Sequence, residues 1–359
     1  MTGSEAMPRR VATLKDIARE AGVSLSTASR VLTRARTGGP VNTPSATRVL
    51  AAAVDLEYEP NLFAASLRTK RTHMLGVLVP RLTDVVLSTI YEGVDARASE
   101  FGYQSVVANT MDDPNEQRVR AERLLQRGVD ALLFGDARVD DPFFDELTQR
   151  GVPFALVSRR HPPYDSVTCD DHAGGALVGN HLADLGHRDI AIIAGHRHAS
   201  TGLDRTEGCL TTLNARGVEV PNERVVYEGF EPESGRLATH TLMSAPVKPT
   251  AIFAVNDMAA IGVMGALRDL GYTAGRDVAV VGFNDISIAA DLPIPLTSVR
   301  SPLREMGKTA AELILDRLQR SPSGSPSARS TQIRLNPWLI VRESSDPSVD
   351  TRRLRKPHQ

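Results

Sequence analysis

The chain has 359 residues, 41% hydrophobic and 24% charged, which suits two or three folded domains. A mean hydropathy of -0.18, with no apolar run near the ~20 residues of a membrane helix, argues against a membrane protein. The net charge of -1 hides a division: residues 1–72 hold eleven Lys and Arg against six Asp and Glu, and the remainder holds 31 against 37. A basic head on an acidic body points to a nucleic-acid reader joined to another module.

Residues 1–10 lack the apolar core of a secretory signal. Cys169 and Cys209 give neither a disulfide framework nor a zinc spacing, so a cytoplasmic, nucleoid-associated protein is expected. Thr13, with Asp16 three residues on, marks a helix start of capping-box type, and Gly22 marks its end. Ile17, Ala18 and Ala21 give that helix one small apolar face. Ser24 caps a second helix over 25–33, in which Ala28, Val31 and Leu32 face inward and Leu25, Ser26, Ser29 and Arg30 stay outside. A third helix starts near Thr43 and Pro44, where the missing proline N–H costs nothing. Two short helices joined by a Gly-containing turn form a helix-turn-helix, whose second helix enters the major groove. The alternative is a three-helix bundle used for protein contacts. Residues 34–40 read as a longer turn than the arrangement usually has.

The stretch YEPNLFAASLRTKRT, residues 58–72, follows. Pro60 and Asn61 favour an extended step and then a cap, so 62–67 can form under two turns of helix. So short a helix is marginal alone, and Arg68, Lys70 and Arg71 point to an anionic partner that holds it. The alternative is a basic linker with no binding role.

Beyond residue 73, short apolar stretches at 74–80, 104–109, 131–134, 154–157, 190–193, 251–255 and 278–283 alternate with helical segments, the first at 88–101. That alternation predicts buried parallel sheets of doubly wound type, in two α/β lobes with a ligand between them at the carboxyl ends of the strands. Asn256 and Asp257, Asn284 and Asp285, Ser158 and Arg159, and Asp170 and Asp171 stand at such ends. Gly307, Lys308 and Thr309 resemble the end of a phosphate loop, but Pro302 stands where the loop needs glycine, and the segment reads as an amphipathic helix through Ala310, Leu313, Ile314 and Leu318. His187, His196 and His198 read as surface histidines rather than zinc ligands. No G-x-S-x-G, H-E-x-x-H or post-strand G-x-G-x-x-G is present, so no catalytic centre, metal or cofactor is expected. The alternatives for this part are a solute receptor and a sugar or nucleotide enzyme. Residues 321–330 are of low complexity, and the tail after Arg342 carries no leucine heptads.

ATLKDIAREAGVSLSTASRVL, RVLAAAVDLEYEPNLFAASLRTKRT, CDDHAGGALVGNHLADLGHRDIAII, AIFAVNDMAAIGVMGAL, VAVVGFNDI and LTSVRSPLREMGKTAAELIL occur in that order. With these blocks the chain strongly resembles the LacI family of bacterial transcription regulators from about Thr13 to Arg342. The resemblance implies a helix-turn-helix domain over 1–57, a hinge helix and linker over 58–72, a periplasmic-binding-protein-like sensor over 73–342, and a flexible tail over 343–359. It implies a non-enzymatic homodimeric repressor on pseudo-palindromic operator DNA, allosterically controlled by a small polar effector such as a sugar. On this reading DNA meets Thr13, Lys15, Ser24, Leu25, Ser26, Thr27, Ser29, Arg30, Asn61, Ala64, Leu67, Arg68 and Lys70. Leu25, Ser26 and Arg30 stand where the family reads base edges, and Leu67 where it wedges into the minor groove. The effector meets Asp84, Ser158, Thr201, Arg205, Phe230, Asn256, Asn284 and Asp285, with Arg205 in the family's R-x-x-G motif. Asn284 and Ser158 replace common aspartates, the usual aromatic loop is Leu82 to Val86 here, and Phe230, Phe283 or Tyr91 must supply any stacking platform.

Overall fold

The computed structural model describes residues 12–36, 39–58, 71–320 and 330–349, and it divides into two units, Met1–Thr72 and His73–Gln359. The first unit holds α1 (Leu14–Glu20), α2 (Leu25–Arg36) and α3 (Pro44–Asp55). Each start follows from local chemistry. Thr13 Oγ1 accepts the Asp16 N–H, and the Asp16 carboxylate accepts the Thr13 N–H at 3.0 Å, a closed capping box. Ser24 Oγ accepts the Thr27 N–H at 3.2 Å, and Thr43 Oγ1 accepts that of Ala46 at 3.2 Å. Ile17, Ala28 and Val49 are fully buried where the three helices meet, with Val31 and Leu32 half-buried against them. Arg48 Nε donates to the Ala21 carbonyl at 3.0 Å and ties α3 to the end of α1. The second helix runs three residues past the expected end at Thr33, because Arg34, Ala35 and Arg36 are good helix formers and the first breaker is Gly38. The first three residues of the long turn expected over 34–40 are therefore helix. The expected hinge helix, with Asn61, Ala64, Leu67, Arg68 and Lys70, lies outside the described residues.

The second unit is built on two six-stranded sheets. The first sheet holds β1 (Met74–Val79), β2 (Gln104–Asn109), β3 (Ala131–Phe134), β4 (Phe154–Val157), β5 (Ser166–Cys169) and β11 (Gln332–Leu335), all parallel, in the order β11-β5-β4-β3-β1-β2. The second holds β6 (Ile190–Ile193), β7 (Val225–Val226), β8 (Ala251–Ala254), β9 (Ala279–Asn284), β10 (Thr297–Arg300) and β12 (Trp338–Ile340), in the order β12-β10-β9-β8-β6-β7. There β12 is antiparallel to β10 and the other pairs are parallel. Helices α4 (Val85–Glu100), α5 (Pro114–Gln126), α6 (Phe143–Gln149) and α11 (Leu303–Arg320) cover the first sheet. Helices α7 (Asp171–Asp184), α8 (Ser200–Ala215), α9 (Pro232–Met243) and α10 (Asp257–Asp269) cover the second. The chain crosses between lobes three times, at Asp170, at Ser301 and at Asn336.

The helix expected from Ser88 begins at Val85, because Asp84 caps it by accepting the Val86 N–H at 2.9 Å. Strands β7, β10, β11 and β12 carry no sequence signal of their own; they are two to four residues long and several are broken by Ser, Thr, Arg or Gln. Residues 343–349 were expected to belong to a flexible tail, yet Ser344 and Ser345 are buried. Ser344 Oγ donates to the Val280 carbonyl at 2.6 Å and accepts from the Thr297 N–H, and Ser345 Oγ meets Thr297 Oγ1 at 2.7 Å. Hydrogen bonding, not apolar patterning, buries this segment, so periodicity gives no sign of it.

Three helix pairs approach so closely that each helix presents a glycine to the other's backbone. A Cβ on Gly93 of α4 would lie 2.2 Å from the Arg304 carbonyl oxygen of α11, and one on Gly307 would lie 2.0 Å from that of Ile90. Gly175 and Gly208 do the same for α7 and α8, and Gly235 and Gly262 for α9 and α10, at 1.9–2.0 Å. Gly307, the residue behind the phosphate-loop resemblance, thus serves helix packing.

Candidate functional site

The first unit presents the start of α2 to solvent. Leu25 is 45% exposed, and Ser26 and Arg30 are exposed on the same face, as is Lys15 on α1. The hydroxyls of this region divide into two groups. Ser24 Oγ bonds to Ser26 Oγ and Thr27 Oγ1, both at 2.9 Å, and Thr13 Oγ1 donates to Asp16 at 2.6 Å, so Thr13, Ser24 and Thr27 order the helix starts. Ser29 is half-buried beside Ala28.

In the second unit the strand ends face each other across the lobes. Arg205, on α8, is buried at 5% exposure. Its Nε donates to Asp171 at 2.7 Å, its Nη1 to the Val255 carbonyl at 2.8 Å, and its Nη2 reaches Asn284 Oδ1 at 3.4 Å. The guanidinium also lies 3.8 Å from the Phe283 ring centroid. Burial pushes the Asp171 carboxyl up to about 6 even beside this cation. Asn256 caps α10 through the Ala259 N–H and donates to the Phe230 carbonyl, each at 2.9 Å. Asn284 and Asp285 hold φ of +102° and +51°, left-handed backbone that costs about 1–3 kcal/mol per residue and persists where its surroundings impose it. Here Ser301 Oγ donates to Asn284 Oδ1, and Ser298 Oγ accepts the Asp285 N–H. A cavity of about 390 Å³ opens beside Asn284, lined also by Val85, Thr89, Asp285, Arg300 and Ser301; Arg205, Phe230 and Asn256 lie outside its lining.

The first lobe contributes Asp84, Asp112, Asp136 and Arg159 from the ends of β1, β2, β3 and β4. Arg159 makes paired bonds to Asp112, at 2.7 and 3.1 Å, and His198 of the other lobe bonds the same carboxylate at 3.0 Å. Burial opposes ionisation of Asp112, but the His198 bond and the Arg159 charge outweigh it and hold the carboxyl well below its usual range. Burial pushes Asp84 up despite the Val86 N–H and the Arg159 charge, and it pushes Asp136 up to about 6. His196 stacks on His198 at 5.0 Å and meets Phe230 edge-on, so these histidines sit half-buried in the cleft rather than on the surface.

Of the expected effector residues, Asp84, Phe230, Asn256 and Asn284 follow or end strands, and Arg205 reaches Asn284 from α8. Ser158, also after a strand, is buried with φ +69°, and Thr201 is buried in the first turn of α8. Asp285 lines the cavity beside Asn284, and its carboxylate pairs with Arg300 at 2.5 Å and Arg342 at 2.7 Å. Phe230 is the aromatic at the cleft, since Phe283 is buried beneath Arg205 and Tyr91 packs beside Ser105. Sequence reasoning missed the cluster of Asp112 and His198. Asp112 sits in a turn after a strand, which is also where a plain turn aspartate sits.

Asp257 supports the Asn284 turn, accepting from Ser298 Oγ at 2.6 Å and from the Ile286 N–H at 2.8 Å, and burial pushes it up to about 7. A folded value above the unfolded one means the folded state binds the extra proton, so this group's contribution to stability falls as pH rises from about 4 to 7. A rise from 3.8 to about 7 corresponds to about 4 kcal/mol. The stability of the parent minus that of Asp257→Asn should therefore increase by roughly that amount as pH falls from 8 to 4. Denaturant melts at several pH values check it, and a constant difference contradicts it.

The sequence matches two family descriptions: "Bacterial regulatory proteins, lacI family" over residues 13–61 and "Periplasmic binding protein-like domain" over residues 180–345. It is 32% identical to the HTH-type transcriptional repressor PurR of Serratia proteamaculans (strain 568), over 96% of this chain and 100% of that protein. The chain belongs to the lacI family. It is 33% identical to the Ribose operon repressor of Escherichia coli (strain K12), over 93% of this chain and 100% of that one. The lac repressor dimer bound to operator and the anti-inducer ONPF superposes with a TM-score of 0.82 at 26% identity, covering 94% of this chain and 100% of that chain. A LacI family regulator from Enterococcus faecium with bound ribose gives 0.66 at 27% identity, covering 77% and 100%. As a lacI-family protein the chain is a DNA-binding transcriptional regulator with an effector-sensing domain, not an enzyme. No described helix is long and apolar enough to cross a membrane.

Proposed function

We propose that this regulator is a homodimeric repressor on a pseudo-palindromic operator, and that its effector is an uncharged, hydroxyl-rich molecule, a sugar or sugar derivative. One observation carries the effector class. Four arginines near the strand ends each have a carboxylate, Arg81 with Glu231, Arg159 with Asp112, Arg160 with Asp204 and Arg205 with Asp171, while Arg197, between His196 and His198, stacks over the Tyr227 ring. Asp84 and Asp136 add carboxyl acceptors, both pushed upward from the ordinary range by burial. Such a cleft suits hydroxyl donors and penalises a phosphate or carboxylate, which must displace a paired anion. A ribose-bound relative fits the same class. Thermal shift of the full chain against sugars, polyols, nucleobases and sugar phosphates tests it. At a hundredfold excess over Kd the true effector should add about 2.7 kcal/mol. Stabilisation by phosphorylated compounds alone would defeat the reading.

For the DNA side, Arg30 and Ser26 read base edges, Lys15 holds phosphate, and Leu67 wedges into the minor groove at a flexible central step. Arg30→Ala should cost about 1–3 kcal/mol and relax specificity at one position in each half-site. Lys15→Ala should weaken binding evenly on all sequences and flatten the salt slope by about one unit. Selection of binding sites from random DNA, followed by gel shifts, checks both. Equal losses on specific and random DNA for Arg30→Ala contradict the assignment.

A further inference from the structure

The cleft is bounded differently at its two ends. At one end the three chain crossings, Asp170, Ser301 and Asn336, close it covalently. The other end lies toward β2 and β7, the outer strands of the two sheets, and non-covalent contacts close it. Asp112, after β2, bonds His198, after β6, at 3.0 Å. The His198 carbonyl accepts the Val139 N–H, from the loop after β3, at 3.0 Å. Arg159 fixes Asp112 from below with two bonds and is itself only 5% exposed. His196 stacks on His198 and abuts Phe230, so the bridge continues into the ring nearest the effector residues.

We infer that Asp112, Arg159 and His198 determine effector size, closing the outer end of the cleft so that it admits a single sugar ring and excludes a second. The inference rests on the sugar reading above and adds a limit to it. A ring held between Phe230, Asn284 and Arg205 meets the crossings on one side and this bridge on the other. A disaccharide must break the His198 contact with Asp112 and leave a half-buried, Arg159-bound carboxylate short of a donor. A longer ligand is thereby rejected through unpaired polar groups as well as through steric bulk.

The test is titration calorimetry on the full chain with monosaccharides and with disaccharides built from them. The parent should bind at least one monosaccharide and discriminate against its disaccharides by more than about tenfold in Kd. His198→Ala opens the end while leaving the Asp112 pair with Arg159 intact; it should keep the monosaccharide and narrow the discrimination by about tenfold. His198→Gln, whose amide can donate to Asp112, should restore the parent's ratio, which a purely structural role would not do. Asp112→Ala is the riskier variant for folding, so the histidine pair carries the test. Discrimination unchanged in His198→Ala overturns the bridge, as does a parent that binds a disaccharide as tightly as its monosaccharide. If neither size binds the parent, the sugar reading itself fails and the size limit fails with it.

Discussion

Replacing Arg205 with methionine is expected to cost the sensor about 3–5 kcal/mol and to erase its response to effector. The first part follows from burial: the Arg205 and Asp171 side chains are 6% and 4% exposed, so removing the cation strands a buried carboxylate. The Val255 carbonyl and Asn284 Oδ1 lose a donor at the same time. The second part follows from position, because the same guanidinium fork faces the strand ends where the effector is proposed to sit. The two effects can be separated. Arg205→Met combined with Asp171→Leu removes both charges, and an apolar pair of similar volume often restores the stability that one missing partner takes away. The double variant should therefore melt near the parent in denaturant and still ignore effector. If the single variant melts like the parent, the pair is not the buried, mutually dependent unit its geometry describes. Arg205→Lys keeps a charge without the planar fork and should not recover effector binding.

Gly307→Val is expected to destabilise the first lobe by about 3 kcal/mol or more. A Cβ there would meet the Ile90 carbonyl oxygen at 2.0 Å, and the next neighbours, the Val94 nitrogen and the Ile90 carbonyl carbon, are backbone as well. A flexible side chain could swing aside; a helix backbone cannot, so α11 must lift from α4. Gly217 makes a suitable comparison, with φ +70° and nothing within 4 Å of a built Cβ. Gly217→Asn should stay within about 1 kcal/mol. Thermal melts of the two variants should differ widely, and similar melts would remove the close approach as the reason for glycine at 307.

The legible parts of the sequence were those where one local rule decides. Thr13, Ser24 and Thr43 each start a helix because a hydroxyl satisfies an otherwise unpaired N–H, and the structure places all three as caps. The apolar strands β1, β3, β4, β6, β8 and β9 announce themselves because both faces of a parallel sheet are buried. The strands that escaped notice, such as β11 with its alternating exposure, exist only through a partner far away in sequence. Burial of Ser344 and Ser345 escaped for a related reason, since the distant Thr297, Val280 and His181 groups make serine a good interior residue there. At the site, the resemblance supplied Arg205, Asn256 and Asn284, and geometry added what each one touches. The pairing of Asp285 with Arg300 and Arg342 was not legible, because no local rule gives the direction of its side chain. The bridge of Asp112 and His198 joins residues 86 apart and in different lobes, and nothing local to either residue announces it.

The glycine pairs have a mechanical consequence. Where backbone rests on backbone there are no rotamers to readjust, so each pair of helices behaves as one stiff plank fixed to its sheet. Deformation is then left to the three strands of chain that pass between the lobes. Two planks on a common axle can only swing, and displacement in a swing grows with distance from the axle. Residues such as Ser301 and Asp170 must travel least, and the loops after β2 and β7 must travel furthest. Any opening of this sensor is therefore largest where the weakest, non-covalent contacts lie, and a small turn near the axle is read out as a wide gap at the rim.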